Sequence, residues 1–171
     1  MTDPVVGVVT ISDRAAGGTY VDRSGPELIR VLDECLEGPW RAESRVIPDE
    51  QPTIETTIRE LAGLGASLVV TTGGTGPGPR DVTPEAVAAV CTRIFPGFGE
   101  RMRAAAADRV PTAILSRQIA GAIGSTLVIA LPGSPKAIAE CLDAVFPAIP
   151  HCVELLGGSP LRVKRRIDPG H

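Results

Sequence analysis

Three short, nearly continuous runs of apolar and β-branched residues constrain the fold of this chain more than any other feature. They occupy residues 5–11, 67–71 and 127–131. A strand with one face in water alternates apolar and polar residues, whereas a strand buried on both faces does not. The runs therefore predict the central strands of a parallel sheet that is covered by helices on both sides.

Segments with helical periodicity separate these strands. Apolar residues recur at three- and four-residue spacing in segments that begin near Ser24, Pro52, Thr83 and Pro135. Alternating strands and helices predict βαβ units with right-handed crossovers. We therefore expect an α/β fold of three layers, α/β/α, with a mostly parallel sheet. A weaker, alternating strand is expected at residues 41–47.

Several local features can be predicted from cap and turn residues. Ser24 and Ser134 are expected to be helix N-caps, and Thr83 with Pro84 should open a third helix. Residues 15–22 are expected to form a mobile loop. Residues 96–99 should interrupt the helical pattern before a helix at 100–109. Residues 112–116 and 119–123 fit either strands or irregular structure.

The length of 171 residues fits one domain, which we expect to span residues 1–160. A basic tail follows at residues 161–171 and is expected to be solvated; its cations are Arg162, Lys164, Arg165 and Arg166. His171 is expected to be disordered. Four cysteines without a C-x-x-C pair indicate reduced core thiols rather than a zinc site.

Charge and hydropathy exclude several classes of function. The net charge of −3 gives no electrostatic basis for binding DNA or a membrane surface. No apolar run approaches the roughly 18 residues of a membrane span, and no signal-peptide pattern is present. We therefore expect a cytoplasmic protein.

The most unusual segment is a glycine-rich loop at residues 71–84, which reads TTGGTGPGPRDVTP. Glycines 73, 74, 76 and 78 let the backbone adopt positive φ and approach a ligand closely. Successive N–H groups in such a loop can form an anion-binding nest. The threonine hydroxyls at 71, 72 and 75 are possible further donors. A stiff surface turn is the alternative, since glycine and proline also mark ordinary turns.

Other polar residues follow the remaining strands. Ser12, Asp13 and Asp49 come after two of them, and Gly133 with Ser134 follows the last. Ligands of open α/β sheets bind beyond the carboxyl ends of the strands, where these residues would share one rim with Arg80 and Asp81. Carboxylates beside a phosphate nest are typical of Mg²⁺ sites. Asp13 and Asp49 also fit purely structural roles, as a turn cap and a helix-start residue.

The chain holds no arrangement suited to covalent catalysis, because both histidines lie within the last 21 residues. The loop also fails two well-known nucleotide patterns. A third glycine is missing from a dinucleotide fingerprint, because Pro79 occupies that position, and a P-loop would need a lysine. The glycine-rich loop and the carboxylates favour a mechanism that positions the substrates and neutralises their charge. Phosphoryl and nucleotidyl transfer are mostly catalysed in this way.

Seven motifs in this order resemble the Mog/MoaB family of molybdenum cofactor biosynthesis proteins, which is related to the gephyrin G domain. They are VVTISDR at 8–14, IPDE at 47–50, TTGGTG at 71–76, RDVTPEA at 80–86, PGFGE at 96–100, ILSR at 114–117 and LPGSP at 131–135. The resemblance covers roughly residues 4–158. It implies a molybdopterin-binding-like fold.

The activity that the resemblance implies is molybdopterin adenylyltransfer, in which AMP passes from ATP to molybdopterin with Mg²⁺ as cofactor. Asp49 and Asp81 match the two essential aspartates of the family and are candidate ligands of the Mg²⁺. The loop from Gly73 to Gly78 matches the nucleotide and pterin-phosphate pocket of the family, and Ser134 matches a ligand-contact region. Together with the polar residues at the strand ends, the predicted binding set is Ser12, Asp13, Thr72, Gly73, Gly74, Thr75, Gly76, Gly78, Arg80, Gly133 and Ser134. Glu100 and Arg103 match a stretch near the pocket. A homotrimer and a molybdate-insertion partner enzyme of the MoeA type are also implied.

Two other functions compete with adenylyltransfer. A MoaB-type protein could bind molybdopterin without modifying it, and the chain combines a Mog-like interior with a shorter, MoaB-like ending. A nicotinamide-dependent oxidoreductase would share the α/β pattern, but the failed dinucleotide fingerprint argues against it.

Overall fold

A computed structural model describes residues 3–164 and contains one six-stranded sheet. In chain order the strands are β1 (Val5–Ile11), β2 (Arg41–Ile47), β3 (Ala66–Thr72), β4 (Arg93–Ile94), β5 (Ala120–Ile123) and β6 (Thr126–Leu131). Their spatial order is β2-β1-β3-β6-β5-β4. The first four of these are mutually parallel, whereas β5 and β4 are antiparallel additions at one edge. The expectation of a mostly parallel sheet is confirmed.

Helices cover both faces of the sheet. They are α1 (Asp13–Ala16), α2 (Ser24–Cys35), α3 (Gln51–Gly63), α4 (Thr83–Val90), α5 (Pro96–Ala107), α6 (Pro135–Val145) and α7 (Ile149–Leu156). Helices α2, α5, α6 and α7 pack on one face, and α3 with α4 packs on the other. This arrangement is the expected three-layer α/β/α sandwich.

The central strands are buried as their sequences predict. Every residue of β1, β3 and β6 is buried, and alternate side chains enter the two opposite cores. Strand β2 lies at the sheet edge and is partly exposed along its length. Its alternating sequence is therefore explained by its position, because only one of its faces packs against the interior.

Thr83 and Pro84 open α4, as expected, although the N-cap residue is Val82. Two other local predictions were wrong. Residues 96–99 do not interrupt a helix but form the first turn of α5, where the missing N–H of Pro96 costs no hydrogen bond. Ser24 does not cap α2, because the Asp22 carboxylate accepts the N–H groups of Ser24 and Gly25 at 3.0 and 3.1 Å.

Other segments left open by the sequence are now defined. Residues 111–115 form a short 3₁₀ helix, and the run at 119–123 contains the antiparallel strand β5. The loop expected at 15–22 begins inside the single helical turn α1, which Ser12 caps by accepting the Ala15 N–H. Ser134 is the N-cap residue of α6, although its side chain makes no capping hydrogen bond.

Residues 161–164, the first four of the expected tail, pack on the domain. Leu161 is buried, and Val163 forms an antiparallel bridge with Leu36. The expectation of a solvated tail was therefore wrong for residues 161–164. Residues 165–171, with Arg165, Arg166 and His171, lie outside the described part of the chain. The boundary expected at residue 160 stays a prediction.

The described residues include no helix that is long and apolar enough to cross a bilayer. All four cysteines are free thiols; Cys35 and Cys141 are buried, and Cys91 and Cys152 are half-buried. Burial raises the pKa of the Cys35 and Cys91 thiols to about 11, so both are protonated and packed as apolar groups at neutral pH.

We predict that Gly73→Ala destabilises the fold by about 2–4 kcal/mol. Gly73 has φ of 106°, and a Cβ there would lie 2.2 Å from the carbonyl oxygen of Ile11. The matched control is Gly63→Ala in α3, where a Cβ meets no atom within 4 Å. Urea unfolding should show the control unchanged or slightly more stable; equal stability of the two variants would contradict the prediction.

Candidate functional site

The carboxyl ends of the four parallel strands meet at one rim, which borders two cavities. The larger cavity, of about 530 Å³, is lined by Thr10, Ile11, Ser12, Asp13, Arg14, Ala15, Tyr20, Asp22, Ser24, Asp49, Thr72, Gly73, Gly74, Asp81, Gly133 and Pro135. The smaller cavity, of about 440 Å³, is lined by Gly74, Thr75, Gly76, Pro77, Asp81, Thr112, Leu115, Ser116, Pro132 and Gly133. Gly74, Asp81 and Gly133 border both and form their shared wall.

The start of the glycine-rich loop is held tightly between neighbouring strands. Gly73 donates its N–H to the Leu131 carbonyl at 3.1 Å, and its own carbonyl accepts the Thr83 hydroxyl at 2.9 Å. Within the loop only Gly73 and Gly74 have positive φ, so the expectation of this conformation at Gly76 and Gly78 was wrong. Those two glycines instead make room for Asp81, whose Oδ2 would lie 2.9 and 2.7 Å from a Cβ on them.

The Asp81 carboxylate is fixed by the loop that it follows. Its Oδ2 accepts the Gly78 N–H at 2.9 Å, while its own N–H donates to the Gly78 carbonyl at 3.0 Å. Among residues 3–164 no group donates a hydrogen bond to Asp81 Oδ1. One oxygen of this carboxylate is thus used to hold the loop, and the other is available at the shared wall of the two cavities.

Asp13 and Asp49 hold each other in place across the ends of β1 and β2. The Asp13 N–H donates to Asp49 Oδ2 at 2.9 Å, and the Asp49 N–H donates to Asp13 Oδ1 at 3.0 Å. Arg80 adds a two-pronged ion pair to Asp13 at 2.8–3.0 Å. Both aspartates line the larger cavity only, so most of the acidic charge of the rim faces that cavity.

The two aspartates differ in how readily they ionise. The backbone N–H of Asp49 and then the Arg80 guanidinium lower the pKa of Asp13. Burial raises the pKa of Asp49; the N–H of Asp13 opposes that rise, and the negative charges of Asp13 and Asp81 add to it. When the ionised form of a carboxylate is disfavoured in the free protein, a bound cation stabilises that form strongly.

The structure does not bring every predicted binding residue to a cavity. Thr72 lines the larger cavity and donates its hydroxyl to the Pro132 carbonyl, and the Thr75 hydroxyl pairs with Ser116 beside the smaller one. Arg80 and Ser134 line neither cavity. The Thr71 hydroxyl is buried within β3 and has no partner in the described part of the chain, so it is not a donor of the loop.

Further along the chain, Arg103 donates to the carbonyls of Ser116 and Gln118 at 3.4 and 3.1 Å, and Ser116 lines the smaller cavity. Glu100 is exposed on α5 and lines neither cavity. Of these two residues, only Arg103 is linked to the pocket, through its contact with Ser116.

Several residues of the site were not identified from the sequence, among them Asp22, Ser24 and Arg117. Asp22 and Ser24 line the larger cavity, and the Ser24 hydroxyl donates to the Gly133 carbonyl at 2.9 Å. Arg117 clamps the glycine-rich loop: its Nε donates to the Gly76 carbonyl at 3.0 Å and its guanidinium NH₂ to the Asp81 carbonyl at 2.5 Å. The ILSR motif contained Arg117, but nothing local to the motif indicates what the guanidinium would contact.

The sequence matches the family described as "Probable molybdopterin binding domain" over residues 7–151. The chain belongs to the Mog/MoaB family of molybdenum cofactor biosynthesis proteins. The resemblance inferred from the seven motifs is thereby confirmed.

Individual relatives agree with this assignment. The chain is 49% identical over 162 residues to a molybdopterin adenylyltransferase of Helicobacter pylori strain J99, covering 94% of this chain and 92% of the relative. It is 42% identical to gephyrin of Dictyostelium discoideum over 91% of this chain and 23% of gephyrin. The crystal structure of the molybdopterin biosynthesis enzyme MoaB from Thermus thermophilus superposes with a TM-score of 0.83 at 40% identity, covering 92% of this chain and 99% of that one.

We predict that Arg117→Gln loosens the loop without unfolding the domain. Loss of the clamp should speed hydrogen exchange at residues 76–81. It should also lower turnover at least tenfold, because small displacements of the groups that position a substrate slow the reaction strongly. Arg59→Gln is the matched control, because Arg59 makes only an exposed ion pair with Glu55 on α3. Exchange and turnover equal to those of the control would contradict the assigned role.

Proposed function

We propose that this protein is a molybdopterin adenylyltransferase that transfers AMP from ATP to molybdopterin. The observation that carries the proposal is the 49% identity, over almost the whole of both chains, to a relative named for this activity. The rim supports it, because it offers backbone N–H groups, carboxylates and room for two ligands side by side. The same relatives favour adenylyltransfer over a protein that only binds molybdopterin.

The two cavities suggest how the substrates are arranged. The larger cavity, which contains Asp13 and Asp49, would take ATP, and the smaller cavity would take the pterin. The α-phosphorus would then lie near the shared wall at Gly74, Asp81 and Gly133. A terminal phosphate oxygen of molybdopterin forms a bond to the α-phosphorus of ATP, and the bond from that phosphorus to pyrophosphate breaks.

In this arrangement the residues of the chain mainly position the two substrates and neutralise their negative charge. N–H groups of the glycine-rich loop hold phosphate oxygens, as in other anion-binding nests. Arg117 keeps the loop in shape, and Asp13 keeps Asp49 oriented through their reciprocal hydrogen bonds. We propose Asp49 and Asp81 as the catalytic residues, with the predicted set from Ser12 to Ser134 contributing to binding.

We also propose that the reaction depends on Mg²⁺. Asp49 and Asp81 fit such an ion, because both line the larger cavity and Asp81 keeps one oxygen without a described donor. Residues 3–164 contain no cluster of three or more acidic, histidine or cysteine side chains that could hold a metal alone. This donor set suits Mg²⁺, which commonly binds one or two carboxylates together with substrate phosphates. The ion would neutralise charge on the leaving pyrophosphate.

Asp49→Asn and Asp81→Asn should each leave the fold intact and reduce adenylylation about 100-fold or more. An asparagine retains an oxygen that can accept the Asp13 or Gly78 N–H, so the loops stay in place while the charge is lost. The assay incubates protein with ATP, Mg²⁺ and molybdopterin and measures adenylylated product; Asp108→Asn, at the exposed end of α5, is the control. Wild-type turnover in either site variant would remove that aspartate from the mechanism.

A homotrimer in the cytoplasm, working beside a molybdate-insertion enzyme of the MoeA type, completes the proposal. The free thiols suit a reducing compartment. An apolar groove lined by Ile94, Phe98 and Pro147 offers surface that association could cover.

Light scattering should give a native mass of about three times the 17.8 kDa of one chain. A mass equal to that of one chain at assay concentrations would contradict the proposed assembly while leaving the adenylylation assay to decide the activity.

A further inference from the structure

The larger cavity contains one feature that phosphate binding does not use, the aromatic ring of Tyr20. The ring is 45% exposed and lies in the segment between α1 and α2. No other aromatic residue of the described chain lines this cavity. Phe95 and Phe98 border the apolar groove on α5, while Phe146 and Trp40 belong to the core around α2 and α6.

Local contacts hold Tyr20 in this position. The carbonyl of Arg14 accepts the N–H groups of Thr19 and Tyr20 at 3.0 and 3.2 Å, and also the Thr19 hydroxyl at 3.1 Å. The Arg14 guanidinium lies over the ring, 5.0 Å from its centroid. The cation covers one face of the ring, so a flat ligand would have to stack on the opposite face.

The charge of the cavity indicates which ligand this would be. Asp13 and Asp49 line the cavity of Tyr20 and are absent from the lining of the smaller one. The proposed cation, and with it the longer phosphate chain of ATP, would therefore lie in the larger cavity. Tyr20 is the aromatic surface of this cavity on which a purine attached to that chain could stack.

We propose that Tyr20 is the platform on which the adenine base of ATP stacks, with Arg14 supporting the ring from its other face. This inference rests on the proposed function, because it assumes ATP as the ligand of the larger cavity. Base-on-aromatic stacking contributes enough binding energy that its loss weakens affinity by about tenfold. Tyr20 touches substrate in this proposal but takes no part in bond making or breaking.

The test compares binding of ATP with binding of inorganic tripolyphosphate, which carries the phosphates without the base. Calorimetry is done in the presence of Mg²⁺ on the full chain and on Tyr20→Leu, Tyr20→Phe and Val21→Ala. Val21 is the matched control, because it is the next residue of the same segment, is 76% exposed and does not line the cavity.

We expect Tyr20→Leu to weaken ATP binding about tenfold and to leave tripolyphosphate binding unchanged, which also shows that the site is folded. Tyr20→Phe and Val21→Ala should bind both ligands as the wild type does. An ATP affinity of Tyr20→Leu equal to that of the wild type, or an equal loss of affinity for tripolyphosphate, would overturn the inference. Failure of the wild-type protein to bind ATP would instead contradict the proposed function, and with it this inference.

Discussion

The close approach of the end of β3 to β1 is the contact on which the rest of the site depends. At Gly73 the chain leaves the sheet so near the Ile11 carbonyl that a side chain has no room. The Gly73 N–H still pairs with β6, through the Leu131 carbonyl. At its first glycine the glycine-rich loop is therefore bonded to β6 and packed against β1, and from there the chain leads to Gly74 and Asp81 at the wall between the two cavities.

The remainder of the rim is arranged around charge. Three carboxylates lie where the strands end, and each accepts a backbone N–H: Asp13 that of Asp49, Asp49 that of Asp13, and Asp81 that of Gly78. Burial, together with the repulsion from the other two carboxylates, raises the pKa of Asp49 in the free protein. Such a site fits the proposed nucleoside triphosphate, which would bring a cation and phosphates to it together.

Much of this could be predicted from the sequence, because the relevant signals are local. Continuous apolar runs identify β1, β3 and β6, and the residues that follow parallel strands must share one edge of the sheet. Errors arose where a local signal has two outcomes. Pro96 can end a helical pattern or begin a helix, and Ser24 can cap a helix or lie inside one when Asp22 accepts its N–H.

By itself, the sequence determined the fold class, the family and the rim that bears Asp13, Asp49 and Asp81, since these follow from periodicity and from motifs contiguous in the chain. Only the tertiary structure decided that Arg117 clamps the loop from 36 residues beyond Asp81, and that Tyr20 lines the larger cavity. The reason is physical. A long side chain can reach many backbone groups, and which of them it reaches depends on how separate segments pack, which no short stretch of sequence encodes.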